Sequence, residues 1–224
     1  MSKIKKLKVG KMQNLDFTTI DTIGLVMGAF SVFIGIKYPD WDFKLKLKHR
    51  SILTHSPLII IFFIYIYLNK QGRFLGFGGE EEIGFRYFIM GFSIGMGIHF
   101  LYDLFPKGWK GSALLHVPIL NRKIKKWGSI ILFLLFTFIS LTIGIRLSNS
   151  VEETILFLIL GLLLLGLNRR KEEKLIRPTG SFLLLFLGIA CYIDPNFYGF
   201  LIKNIESLWG VGKAGVKLVF TLIS

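Results

Sequence analysis

Four histidines are spread over 224 residues, and three of them lie beside aspartates in the first half of the chain. The first group of chemically capable residues is Tyr38-Pro39-Asp40-Trp41-Asp42, at the end of an apolar stretch. An Asp-x-Asp spacing in an extended turn lets two carboxylates converge on one cation or bridge two, although Pro and Asp are also ordinary turn residues. The second group is His49-Arg50-Ser51-Ile52-Leu53-Thr54-His55-Ser56-Pro57. Six residues of α-helix turn through about 600°, so two rings at that spacing would point from different faces. At least one of them therefore belongs to an irregular or capping region, with Thr54 or Ser56 expected to cap the next helix and Pro57 in its first turn. The third group is His99-Phe100-Leu101-Tyr102-Asp103. A His and an Asp four residues apart share one helical face, so both can ligate one metal, or the Asp can orient the ring. An ionisable pair inside an apolar helix is costly unless partnered, which makes function the default reading.

Six apolar segments must position these residues: 18–36, 57–69, 83–105, 128–147, 151–168 and 181–194. The chain is 52% hydrophobic and 19% charged, with 22 Phe and a mean hydropathy of +0.58. Too few polar residues remain to cover a water-soluble core of this size, and lipid is the simpler solvent. The expected fold is all-α, a polytopic membrane helical bundle of about six transmembrane helices with a C-terminal amphipathic helix. The expected organisation is a basic N-terminal segment (1–17), a motif-bearing membrane domain (18–127), additional transmembrane helices (128–194) and an interfacial tail (195–224). Segment 57–69 is short against the ~20 residues that cross a bilayer core, so it starts earlier, under His55, or is half buried in protein. Gly91, Gly95 and Gly97 lie on or near one face of the third segment, where small residues let helices approach closely.

The net charge of +14 sits between the apolar segments and not on a basic recognition helix, so it is read as topology and anionic-lipid contact; no nucleic acid is expected. The basic stretches 37–50, 107–126 and 169–177 alternate with the stretch 70–86, balanced by Glu80, Glu81 and Glu82, and with the acidic stretch 148–153. This alternation puts the basic loops in the cytoplasm. A spanning first segment then puts the N-terminal lysines outside; a first segment that dips in without crossing is the alternative. Asp40, Asp42, His49, His55, His99 and Asp103 all fall on one membrane side, so a joint, cytoplasm-facing site is possible across which no ~30 Å core intervenes. His116, in a basic loop, is expected to face solvent or headgroups, Glu80 to Glu82 to form a solvated loop, and Asp194 to be a turn residue. Cys191 is the single cysteine, so no intrachain disulfide forms.

The combination of Pro39-Asp40-Trp41-Asp42, His49-Arg50-x-x-x-Thr54-His55-Ser56 and His99-x-x-x-Asp103-Leu104 resembles the bacterial inner-membrane metal-dependent hydrolases of the YdjM family. The likeness covers roughly 24–110, with one residue more between the two histidines of the second motif than in the family's pattern. It implies kinship with zinc-dependent phospholipase C and nuclease folds, and a metal-binding role for Asp40, Asp42, His49, His55, His99 and Asp103. It also implies that Arg50 meets an anionic substrate, in a prokaryotic inner membrane. The expected activity is metal-assisted hydrolysis of a phosphoester of a lipid or other membrane-proximal substrate, with zinc, or manganese, as the divalent ion. Asp42 is the expected proton acceptor and Arg50 the bidentate phosphate holder. The rival expectation is a non-enzymatic membrane protein in which the same cluster is a structural metal site or a polar lock.

Overall fold

The structure, a computed structural model, describes residues 21–42, 44–69, 80–105, 114–118, 122–168, 175–207 and 209. Each of the six apolar segments forms a helix. Helix α1 (Thr22–Lys37) opens on Asp21, whose carboxylate accepts the Gly24 N–H, and tightens at its end into a 3₁₀ turn over Tyr38–Asp42. Helix α2 spans Leu58–Asn69, α3 spans Glu80–Leu104 and α4 spans Lys126–Arg146. Helix α5 (Val151–Leu167) is capped by the Ser150 hydroxyl, which accepts the Glu153 N–H. Helix α6 (Ile176–Ile193) stops before Pro195, and α7 follows over 195–207. Two short strands, β1 (His116–Val117) and β2 (Arg122–Lys123), pair antiparallel between α3 and α4.

Among the described residues, four helices are long and apolar enough to cross a membrane: α1 with its 3₁₀ turn, α3, α4 and α6. Helix α5 has 17 residues. Helix α2 has 12, about 18 Å at 1.5 Å per residue, well below a ~30 Å core. The basic N-terminal segment and the tail beyond 209 lie outside the described residues. Glu80 to Glu82 do not form a loop. They open α3, and a helix start is a position at which acidic residues are favoured.

Helix α3 is the hub. In its apolar window 89% of residues are buried, against 28% in α6. The surrounding helices turn Val26, Phe30, Phe62, Leu134, Leu163 and Leu184 outward, a surface suited to lipid and costly in water. Helices α1 and α3 run parallel, backbone against backbone. A Cβ on Gly95 would come within 2.1 Å of the Val32 carbonyl, one on Gly91 within 2.3 Å of the Gly28 carbonyl, and one on Gly35 within 2.3 Å of the Phe92 carbonyl. Gly97 departs from the expected face: it meets Leu141 of α4, because two residues of helix rotate it about 200° from Gly95.

At the end of α3 away from the motifs, Arg86 is clamped to Glu153 of α5 through two 2.8 Å bonds, Nη1 to Oε2 and Nη2 to Oε1. The Tyr87 hydroxyl donates to Glu153 (2.7 Å), as does the Asn149 N–H (2.8 Å), and Arg86 also donates to the Leu147 carbonyl (2.6 Å). Both ends of the ion pair are buried and hydrogen-bonded, the condition under which such a pair persists away from water.

Candidate metal centre

Three elements bring the motif residues together: the end of α1, the irregular stretch 44–57, and the last turn and a half of α3. Their common feature is that each ring has its Nδ1 side already engaged. His99 Nδ1 lies 2.8 Å from the Ile36 carbonyl, one of the last carbonyls of α1, which lack helical partners. A carbonyl only accepts, so in the neutral ring Nδ1 carries the proton and Nε2 the lone pair. The contact depends on the glycine packing above, since only a close α1 lets a side chain of α3 reach its backbone.

His55 is held in the same way. Its Nδ1 lies 3.2 Å from Thr54 Oγ1 and 3.5 Å from Asp42 Oδ2, while the Thr54 hydroxyl itself donates to Asp42 Oδ1. With the hydroxyl proton directed to the carboxylate, Nδ1 of His55 donates and Nε2 again carries the lone pair. Burial pushes His55 down to about 3, with the nearby His99 and His49 rings and Arg50 adding to the effect against the pull of Asp103. The ring is therefore neutral at physiological pH.

The two Nε2 atoms converge on one carboxylate oxygen. Asp103 Oδ2 lies 3.4 Å from His55 Nε2 and 3.3 Å from His99 Nε2, and the three ligand atoms lie within 4.8 Å of one another. His55 Nε2 and Asp103 Oδ2 are buried and make no hydrogen bond, an expensive arrangement for bare protein atoms. A tetrahedral ion with bonds of about 2.0–2.1 Å holds its ligand atoms about 3.3–3.4 Å apart. Donor set, tautomers and spacing thus fit a divalent ion held by two histidines and one carboxylate.

The remaining predicted residues surround this trio. Asp42 is fully buried and accepts the Arg50 N–H (2.6 Å) as well as the Thr54 hydroxyl, which places it behind His55, as the carboxylate that orients a ligand ring. Asp40, 36% exposed, has Oδ1 4.0 Å from His99 Nε2. His49, 46% exposed, has Nδ1 3.8 Å from Asp42 Oδ2. Arg50 donates its Nε to Asp103 Oδ1 (3.1 Å), leaving Oδ2 to the two rings. Arg50 takes a left-handed φ of 58°, uncommon for a residue with a Cβ. It is fixed from three directions, by Asp42, by Asp103 and by its carbonyl, which accepts the His116 N–H (2.8 Å).

Two expectations are corrected. His116 is buried, not facing solvent, because its backbone pairs with both Arg50 and Ile52 (2.8 and 2.9 Å) and draws β1 onto the stretch that carries the site. Thr54 does not cap α2: its hydroxyl proton goes to Asp42 and its oxygen faces His55 Nδ1. The Arg86–Glu153 clamp was not anticipated; an Arg inside an apolar segment was the available signal.

No protein-family model matches the chain, and no curated protein or solved structure matches it either. The chemistry of the site is read from its own geometry.

Proposed function

We propose that the chain is an integral membrane hydrolase that cleaves a phosphoester of a lipid or other membrane-proximal substrate with a divalent ion held by His55, His99 and Asp103. The observation that carries this reading is the convergence of two lone-pair-bearing Nε2 atoms and a carboxylate oxygen at 3.3–3.4 Å, with the partly exposed Asp40, His49 and Arg50 on the solvent side, the mouth of the site. Three protein ligands leave coordination positions open, the hallmark of a catalytic and not a structural zinc site. Zinc is the favoured ion, with manganese second. The likeness of the three motifs to the YdjM family supports the same reaction class.

The bound ion supplies Lewis acidity toward a phosphoryl oxygen and toward water. Asp42, with both carboxylate oxygens engaged, holds His55 in its tautomer. Asp40, at the mouth, is the carboxylate placed to accept a proton from water. Arg50 keeps Asp103 oriented through Nε and, being part exposed, offers the rest of its guanidinium to an incoming phosphate. The alternation of basic and acidic stretches supports about six crossings, α5 included and α2 together with the buried stretch that precedes it, with the site facing the cytoplasm of a prokaryotic cell.

A second reading is a structural metal or polar lock, favoured by the bonds that tie the stretch 44–57 to α1 and α3. Metal quantification on the purified protein and its His99→Ala variant, followed by a panel of phosphoesters and phospholipids, separates the two. The hydrolase should carry about one ion per chain and turn over at least one substrate, and His99→Ala should lose both. Full turnover by that variant refutes the hydrolase, and bound metal without turnover on any substrate leaves the structural reading.

A further inference from the structure

The backbone pairing that buries His116 also ties β1 and β2 to the stretch that carries the site, and forms a cap beside it. The stretch 44–52 joins β1 through Arg50, Ile52 and His116, and β1 pairs with β2, setting His116 opposite Lys123 and Val117 opposite Arg122. Lys44, Lys46 and Lys48 stand exposed on one part of this cap, and Arg122, Lys123, Lys125 and Lys126 on the other. No Asp or Glu occurs in 44–57 or 114–127. Exposed apolar side chains are set among these cations: Trp41 at 37%, Leu45 at 54% and Trp127 at 74%, with Lys44 Nζ 5.3 Å above the Trp41 ring.

We infer that this cap is a binding surface for anionic phospholipid headgroups, which it gathers at the mouth of the His55–His99–Asp103 site. Cations alone would suit any polyanion. Cations mixed with exposed Trp and Leu at the ends of α1 and α4 suit a headgroup layer, because the rings and aliphatic side chain are buried at the depth where the ammonium groups meet phosphate. A soluble nucleic acid would leave that apolar surface wet. Loop charge set only by topology needs no folded surface, whereas here backbone hydrogen bonds hold two basic stretches, separated by more than seventy residues of sequence, on either side of β1. That the gathered lipid is also the substrate rests on the proposed hydrolase. The binding surface does not.

The test uses full-length protein carrying W109F and W209F, so that Trp41 and Trp127 report, in nanodiscs containing phosphatidylglycerol or phosphatidylcholine brominated in the upper acyl chain. At low salt, brominated phosphatidylglycerol should quench with an apparent affinity about fivefold or more above that of the phosphatidylcholine, roughly the weight of one basic residue near an anionic surface. High salt should shrink the difference. K44Q/K46Q/K123Q should abolish it while keeping the metal content of the parent, a check that the fold persists. Equal quenching by the two lipids, or a preference that survives the triple substitution, overturns the inference. Turnover of a soluble phosphoester without lipid preference sinks the lipid surface and spares the hydrolase; lipid preference without any turnover does the reverse.

Discussion

The Thr54 hydroxyl shows how a small polar group can decide which nitrogen of a neighbouring ring is available. By donating to Asp42 it accepts from His55, and so sets the lone pair of Nε2 toward Asp103. Thr54→Val keeps the shape and removes the bond; metal affinity measured by chelator competition should fall about tenfold or more, the range for a lost second contact to a ligand histidine. An unchanged affinity would show that Asp42 alone orients the ring. His55 also gives a pH signature. Its value is about 3 in the folded protein against an ordinary ~6.5 when unfolded, so below ~6.5 the unfolded state binds the extra proton and the metal-free fold loses stability as pH falls toward 3. Thermal melts of the metal-free protein should drop across that window, and His55→Gln should flatten the slope. At this scale the ligand types and the His99, Asp103 face were legible, because i, i+4 spacing fixes a helical face. The irregular stretch 44–57 was not, since hydrogen bonds to Asp42, Asp103 and His116, from distant parts of the chain, determine where Thr54 and Arg50 point.

Helices α1 and α3 form the element on which the centre depends, and their contact is backbone on backbone. Gly95→Leu would drive a side chain into the Val32 carbonyl, already only 2.1 Å from an added Cβ. A rigid carbonyl cannot move as a flexible side chain does, so the helices must part. The variant should lose at least about 1–3 kcal/mol of stability in a detergent unfolding series, and its metal content should fall with it, because separation withdraws the Ile36 carbonyl from His99. Gly84, with nothing within 4 Å of an added Cβ, is the control: Gly84→Ala should keep the metal content and lose no stability, since Ala favours the helix over Gly. Small residues in an apolar segment announced close packing in the sequence. Which glycine meets which helix depends on rotation about the helix axis, and that was resolved only by the partners themselves.

Across the whole molecule, the metal centre and the Arg86–Glu153 clamp occupy opposite ends of α3, about 20 Å apart for the 13 residues between Arg86 and His99. Arg86→Met alone should cost about 3–5 kcal/mol, since Glu153 is left buried and unpaired, whereas Arg86→Met with Glu153→Leu should recover much of that loss. Both variants should keep their metal if they fold. Agreement of the helices with the six apolar segments reflects how strongly lipid enforces long apolar runs, and the shortness of α2 was already legible in segment 57–69; the pairing of an Arg with a Glu 67 residues later is a tertiary fact with no local signature. The burial of α3 has a consequence for how the protein reaches its membrane. At a mean hydropathy of 1.2 it is the least apolar of the four long helices, against 2.3 for α4, and it carries Arg86, His99 and Asp103. Such a segment partitions poorly from the translocon into lipid by itself. If α3 crosses a bilayer, its stable insertion depends on α1, against whose backbone it packs, and on α5, whose Glu153 pairs with Arg86 and which follows both in the chain.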